Sequence, residues 1–125
     1  RFCKPFAVKL LSAVQDLGKM NTAHIHGKQL FFDDILDLPV QVLSWYDRHP
    51  DCPSLQEVKE KFPGAVMGGI DQEIVSRRTR AFLKEHVREG IEMGGKSRHL
   101  LAGGCSIDTW VDPGSIEAIV AAARS

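Results

Sequence analysis

The chain is expected to fold as an α/β domain built on a parallel sheet, the C-terminal half of a (β/α)8 TIM barrel, with residues 1–125 forming a single partial domain. Short apolar runs that end in glycine or aspartate alternate with stretches of helical period, and such alternation implies parallel strands joined by crossover helices. The repeating unit is roughly 20 to 35 residues, as in such a barrel, and a complete barrel needs about 250 residues. The chain has 125 residues, which is room for a helix and four strand-helix units.

Each element has its own signal. Phe6, Leu10, Val14 and Leu17 recur at helical spacing after Pro5, and Gly18 offers a left-handed stop, so a first helix is expected there. Met20 to His26 is short and ends at Gly27, which predicts a buried strand. Leu30 to Leu38 reads as a second short helix halted by Pro39, and Val40 to Trp45 as a β-branched, apolar strand ending near Asp47. Ser54-Leu55-Gln56-Glu57 is a capping box, in which Ser54 and Glu57 each satisfy a free backbone N–H at a helix start. Ala65 to Ile70 is a third strand, followed after Asp71 by a long amphipathic stretch with Val75, Phe82, Val87 and Ile91 inward, closed by Gly94-Gly95. His99 to Cys105 supplies the fourth strand. Asp112-Pro113 then places a cap and a first-turn proline ahead of a helix from Ser115 to Ala123.

Composition narrows the function classes. Sixteen basic and sixteen acidic side chains balance, so no global field draws the chain to nucleic acid or to an anionic membrane. No run approaches a membrane span and the first residues lack a signal-peptide core, which gives a soluble, cytoplasmic expectation. Cys3, Cys52 and Cys105 are an odd number without a CxxC pair, so reduced thiols are expected. The first residue is Arg1 and a helical pattern begins at once, so a longer parent is expected. A half barrel leaves two strand edges unpaired, which predicts self-association of the fragment.

The chemistry-bearing residues sit at strand ends. His24 and His26, at i and i+2 of one strand, point to the same face, and Cys105 follows Gly103-Gly104 at the end of another. Two imidazoles and a thiolate are a ligand set for zinc with one position left open for chemistry, so His24, His26 and Cys105 are the candidate metal ligands. Asp47 and Asp71 end the two strands between and are the candidate catalytic carboxylates, either orienting a zinc histidine through its second nitrogen or capping the following helices. His86 lies among charged residues and reads as solvated; Arg77, Arg78 and Arg80 read as an exposed face, and Trp45 as core.

Four landmarks also carry a family resemblance: His24-Ile25-His26-Gly27, Leu43-Ser44-Trp45-Tyr46-Asp47, Met67-Gly68-Gly69-Ile70-Asp71, and Leu101-Ala102-Gly103-Gly104-Cys105 through Asp112-Pro113 to Arg124. In order and spacing the chain resembles the C-terminal half of the uroporphyrinogen decarboxylase superfamily, which implies a (β/α)8 barrel. That superfamily includes porphyrinogen decarboxylases and zinc-dependent, cobalamin-linked methyltransferases. The methyltransferases resemble a His-x-Cys pattern with a distant Cys, the three holding zinc that activates a thiol substrate. Here the pattern is His24-x-His26 with Cys105, and histidine in place of the first cysteine lowers the negative charge of the set.

The resemblance thus implies zinc at His24, His26 and Cys105, a small-molecule thiol as substrate, and a corrinoid on a partner protein as methyl donor. The alternative it implies is a uroporphyrinogen decarboxylase acting on a tetrapyrrole in porphyrin and heme biosynthesis; a third reading is a non-catalytic binding or accessory protein with the same fold. In the decarboxylases the position of Cys105, eight residues before Pro113, resembles a substrate-contacting histidine, so cysteine favours the methyltransferase branch. Both branches resemble Gly-Asn-x-Asp-Pro in the third strand, where this chain has Gly68-Gly69-Ile70-Asp71-Gln72.

Overall fold

A computed structural model describes residues 2–125. Helix α1 spans Lys4–Val14, β1 Thr22–Ile25, β2 Val42–Trp45, α2 Leu55–Lys61, β3 Ala65–Ile70, α3 Arg80–Gly94, β4 His99–Gly103 and α4 Pro113–Ala123. The four strands form one sheet in the order β1-β2-β3-β4, every neighbour parallel, as the alternation of periods predicts. Sequential order with each crossover returning to the adjacent strand is the topology of half a (β/α)8 barrel.

Two apolar clusters lie between the sheet and its helices. Leu43 and Trp45 of β2, Val66 of β3, and Leu55 and Val58 of α2 are at most 1% exposed and form the first. Burying each such side chain stabilises the fold by about 1.5–3 kcal/mol. The second joins Ile70, Val75, Leu83, Val87, Ile119 and Ala122, and so ties α3 and α4 to β3. Gly69 and Gly90 let α3 approach β3 closely, since a Cβ on Gly90 would run into the Gly69 carbonyl, and Gly69 itself has φ 102°.

Helix starts follow their sequence signals. Ser54 caps α2 with both bonds of the capping box in place, and Asp112 caps α4 by accepting from the Gly114 N–H, with Pro113 in the first turn. Gly95, with φ 71°, ends α3.

Several expectations are corrected. The stripe Phe6, Leu10 and Leu17 faces outward, and α1 touches the core through Ala7, Val8 and Leu11 instead. The helix ends at Val14, before Gly18, because the Asn21 side-chain amide donates to the carbonyls of Val14 (3.2 Å) and Gln15 (3.1 Å) and supplies the termination expected of glycine. Strand β1 is half-exposed rather than buried: Thr22 and His24 are open while Ala23 and Ile25 pack inward, because β1 is an edge strand with β2 on one side only among the described residues.

Leu30 to Leu38 is not an α-helix. It holds one 3-10 turn, Phe32–Asp34, whose Phe32 ring meets Trp45 edge-on at 5.0 Å, while Leu30, Ile35, Leu36 and Leu38 reach the same core without a 3.6-residue rhythm. After β3 the chain turns before α3 begins at the Thr79 cap, because the Asp71 carboxylate accepts from the Glu73 N–H and holds a local turn. That later start resets the phase of α3, so Leu83, His86, Val87 and Gly90 face inward, Phe82 and Ile91 are partly exposed, and the buried Val75 sits in the turn.

Candidate metal centre

The imidazoles are delivered by β1. His24 pairs in register with Ser44 of β2, and its Nδ1 lies 3.1 Å from the Ser44 Oγ. His26 follows one residue beyond the strand end, its ring centroid 6.4 Å from that of His24, and Gly27, with φ 135°, turns the chain away at once. Cys105 comes from the far edge of the sheet, where the Gly104 N–H donates to the Ile70 carbonyl (3.0 Å) and Gly104 packs against the backbone of Trp45 and Tyr46.

The Cys105 Sγ then lies 3.6 Å from the His26 Nδ1, and one donor atom from each of the three residues falls within 4.8 Å of the others. In a flat sheet β1 and β4 would stand about 14 Å apart, three strand spacings. Their end residues meet because the sheet curls into an arc and the chains leaving its edges converge over the mouth. His24 and His26 are exposed and Cys105 is half-buried.

This donor set fits zinc. A tetrahedral zinc held by imidazole nitrogens and a thiolate places its donors about 3.3–3.6 Å apart. The Cys105–His26 pair already has that spacing, and all three donors lie within 4.8 Å of one another. The cluster borders a cleft of about 320 Å³, to which Lys28, Tyr46, Gln72 and Arg77 also contribute.

Asp47 and Asp71 stand at the ends of β2 and β3 but have other partners. Asp47 is 4% exposed, and both its oxygens accept from the Gly69 N–H at 3.2 and 3.0 Å. Burial pushes its pKa up to about 6, against the pull of that N–H. Gly68 leaves room for the carboxylate, since a Cβ there would meet it. Asp71 accepts from the Tyr46 hydroxyl (2.8 Å) and the Glu73 N–H (3.0 Å), and its own N–H donates to the His86 Nε2 (2.9 Å). Neither carboxylate hydrogen-bonds to His24 or His26, and neither caps a helix: Ser54 and Thr79 do.

His86 is a correction to the sequence reading. It is 4% exposed rather than solvated, and burial followed by the nearby Arg48 charge lowers its pKa. Arg77, Arg78 and Arg80 are exposed as expected, and Arg80 pairs with Asp112 at 2.8 Å. Sequence reasoning missed Tyr46, Gln72 and Ser44. Strand alternation carries a signal for Tyr46, which must face away from the buried Trp45 and toward the mouth. Its phenol pKa is raised by burial and then by the Asp71 carboxylate, so it stays protonated. The Gln72 amide oxygen is buried without a partner among the described residues, and nothing in the residue pattern marks it.

The parallel β/α arc has the topology of half a (β/α)8 barrel, and its His-His-Cys cluster and cleft lie at the C-terminal ends of the strands, where such proteins place their chemistry. The chain belongs to the uroporphyrinogen decarboxylase family, whose model matches residues 1–125. No curated protein sequence matches it.

Proposed function

We propose that this chain carries half of the active site of a superfamily enzyme that transfers a methyl group from a corrinoid, held on a partner protein, to a zinc-activated thiol. One observation carries the reading: donor atoms of His24, His26 and Cys105, from opposite edges of the sheet, lie within 4.8 Å of one another. These three residues would hold the zinc. The metal would leave a position open to a substrate thiol and lower its pKa, so that thiolate forms at neutral pH. The chain's own part is to fix the ligand geometry on rigid strand ends and to keep Tyr46 as a neutral hydrogen-bond group in the same cleft.

Metal content of the purified chain tests this. One equivalent of zinc is expected, lost on His24→Ala, His26→Ala or Cys105→Ser; full zinc content after those changes would overturn the reading. A second reading, uroporphyrinogen decarboxylation, is supported by Lys28 and Arg77, two cations in the same cleft that suit substrate carboxylates. Metal-independent release of carbon dioxide from uroporphyrinogen by the intact parent protein would favour it.

A further inference from the structure

We infer that Ser44 is a positioning residue for the metal site, its hydroxyl accepting a hydrogen bond from His24 Nδ1–H and so leaving the lone pair on Nε2 to face the metal. The inference rests on the zinc reading above and names what sets the tautomer of one ligand.

Ser44 is the polar exception in a strand otherwise made of Val42, Leu43 and Trp45, and it is 5% exposed. A buried hydroxyl there costs about 1–3 kcal/mol unless it is paired. Its side-chain partner among the described residues is the His24 Nδ1, at 3.1 Å. Register makes the contact systematic, since His24 and Ser44 are direct partners on adjacent parallel strands and their side chains leave the same face. Ser44 also lines, with Thr22, His24 and Met67, the hollow of the sheet into which Cys105 reaches.

The two histidines differ in the partners of their Nδ1 atoms: that of His26 lies against the Cys105 sulfur and that of His24 against the Ser44 hydroxyl. With the His24 proton on Nδ1, its Nε2 is the nitrogen left for a metal. The carboxylates that sequence reasoning assigned to this orienting role are bonded elsewhere, Asp47 to Gly69 and Asp71 to Tyr46 and Glu73. A hydroxyl in place of a carboxylate holds the ring without adding negative charge. With a single thiolate among the ligands, the site then keeps more of the positive charge of a bound zinc than a carboxylate-backed site would.

The tautomer is measurable without metal. In the metal-free chain, two-bond 15N correlation spectra should show His24 with its proton on Nδ1, and Ser44→Ala should shift it toward the Nε2–H form that free imidazole prefers. Zinc affinity, measured by chelator competition, should fall about 10–100-fold in Ser44→Ala. His24 with its proton on Nε2 in the unaltered chain, or an unchanged tautomer in Ser44→Ala, would overturn the assignment. Failure of the unaltered chain to bind zinc would defeat the metal reading instead, leaving the tautomer spectra to decide the role of Ser44.

Discussion

Asp47 and His26 both stand at the C-terminal end of the sheet, yet they lie in environments of opposite kind. Asp47 is buried and spends both oxygens on a backbone N–H, and the neighbouring Tyr46, Asp71, His86 and Arg48 are linked by a Tyr46–Asp71 side-chain bond, an Asp71 N–H to His86 bond and an Arg48–His86 contact. The His24, His26 and Cys105 donors stand open at the cleft, and the Cys105–His26 contact is made within the cluster. A polar side chain saturated by the backbone is committed to holding strand ends in place, whereas one presented into a cleft keeps its lone pair for a ligand. On the proposed reading, the carboxylates hold the strand ends and the imidazoles and thiol face a ligand.

Changing one group on each side separates the two environments. His86→Ala removes the acceptor for the Asp71 N–H and leaves a void under α3. It should lower stability by about 2–4 kcal/mol in chemical denaturation and leave zinc stoichiometry unchanged. Loss of metal without loss of stability would place His86 with the cluster instead.

Asp47 gives the next largest effect, with a defined sign. Its folded pKa of about 6 lies above the usual unfolded value of about 3.9, so the folded state holds the proton more tightly. The stabilisation from Asp47 is complete below about pH 4, is lost as pH rises to about 6, and is constant above. Burial is the main cause, with Gly69 and Arg48 opposing and Asp71 adding to it. Asp47→Asn should abolish this slope, so that its stability relative to the unaltered chain rises by on the order of 1–3 kcal/mol between pH 4 and pH 7. A pH-independent difference, followed by denaturation at several pH values, would contradict the burial argument.

His26→Cys tests the other side. On the zinc reading, it gives a His-x-Cys spacing with a second thiolate, and should bind zinc more tightly, read by chelator competition, because that thiolate adds negative charge. Smallest of all, Phe6→Ser on the outward face of α1 should change stability by less than about 0.5 kcal/mol, since Phe6 is 76% exposed.

Much of this fold was legible in the residues. Ser54 and Glu57 mark the start of α2, Asp112-Pro113 that of α4, and Ala65 to Ile70 matches β3 because each signal is local and acts on the backbone beside it. The stretch from Leu30 to Leu38 was not legible, because its apolar residues reach one core from an irregular path. His86 was misread because its helix phase is set by a cap at Thr79 and its partners, the Asp71 N–H and Arg48, come from the ends of neighbouring strands. The site divides likewise: alternation places His24 and His26 on one face, while Ser44 becomes a partner of His24 only through the register of two strands.

The central claim is that His24, His26 and Cys105 bind one metal ion together. Cobalt(II) titration into the reduced chain tests it most directly, since cobalt takes the place of zinc and reports its ligands by absorption. A sulfur-to-cobalt charge-transfer band and tetrahedral ligand-field bands are expected, saturating at one equivalent, and both are lost in His24→Ala, in His26→Ala and in Cys105→Ser. Absence of these bands in the unaltered chain, or their persistence unchanged in Cys105→Ser, would contradict it.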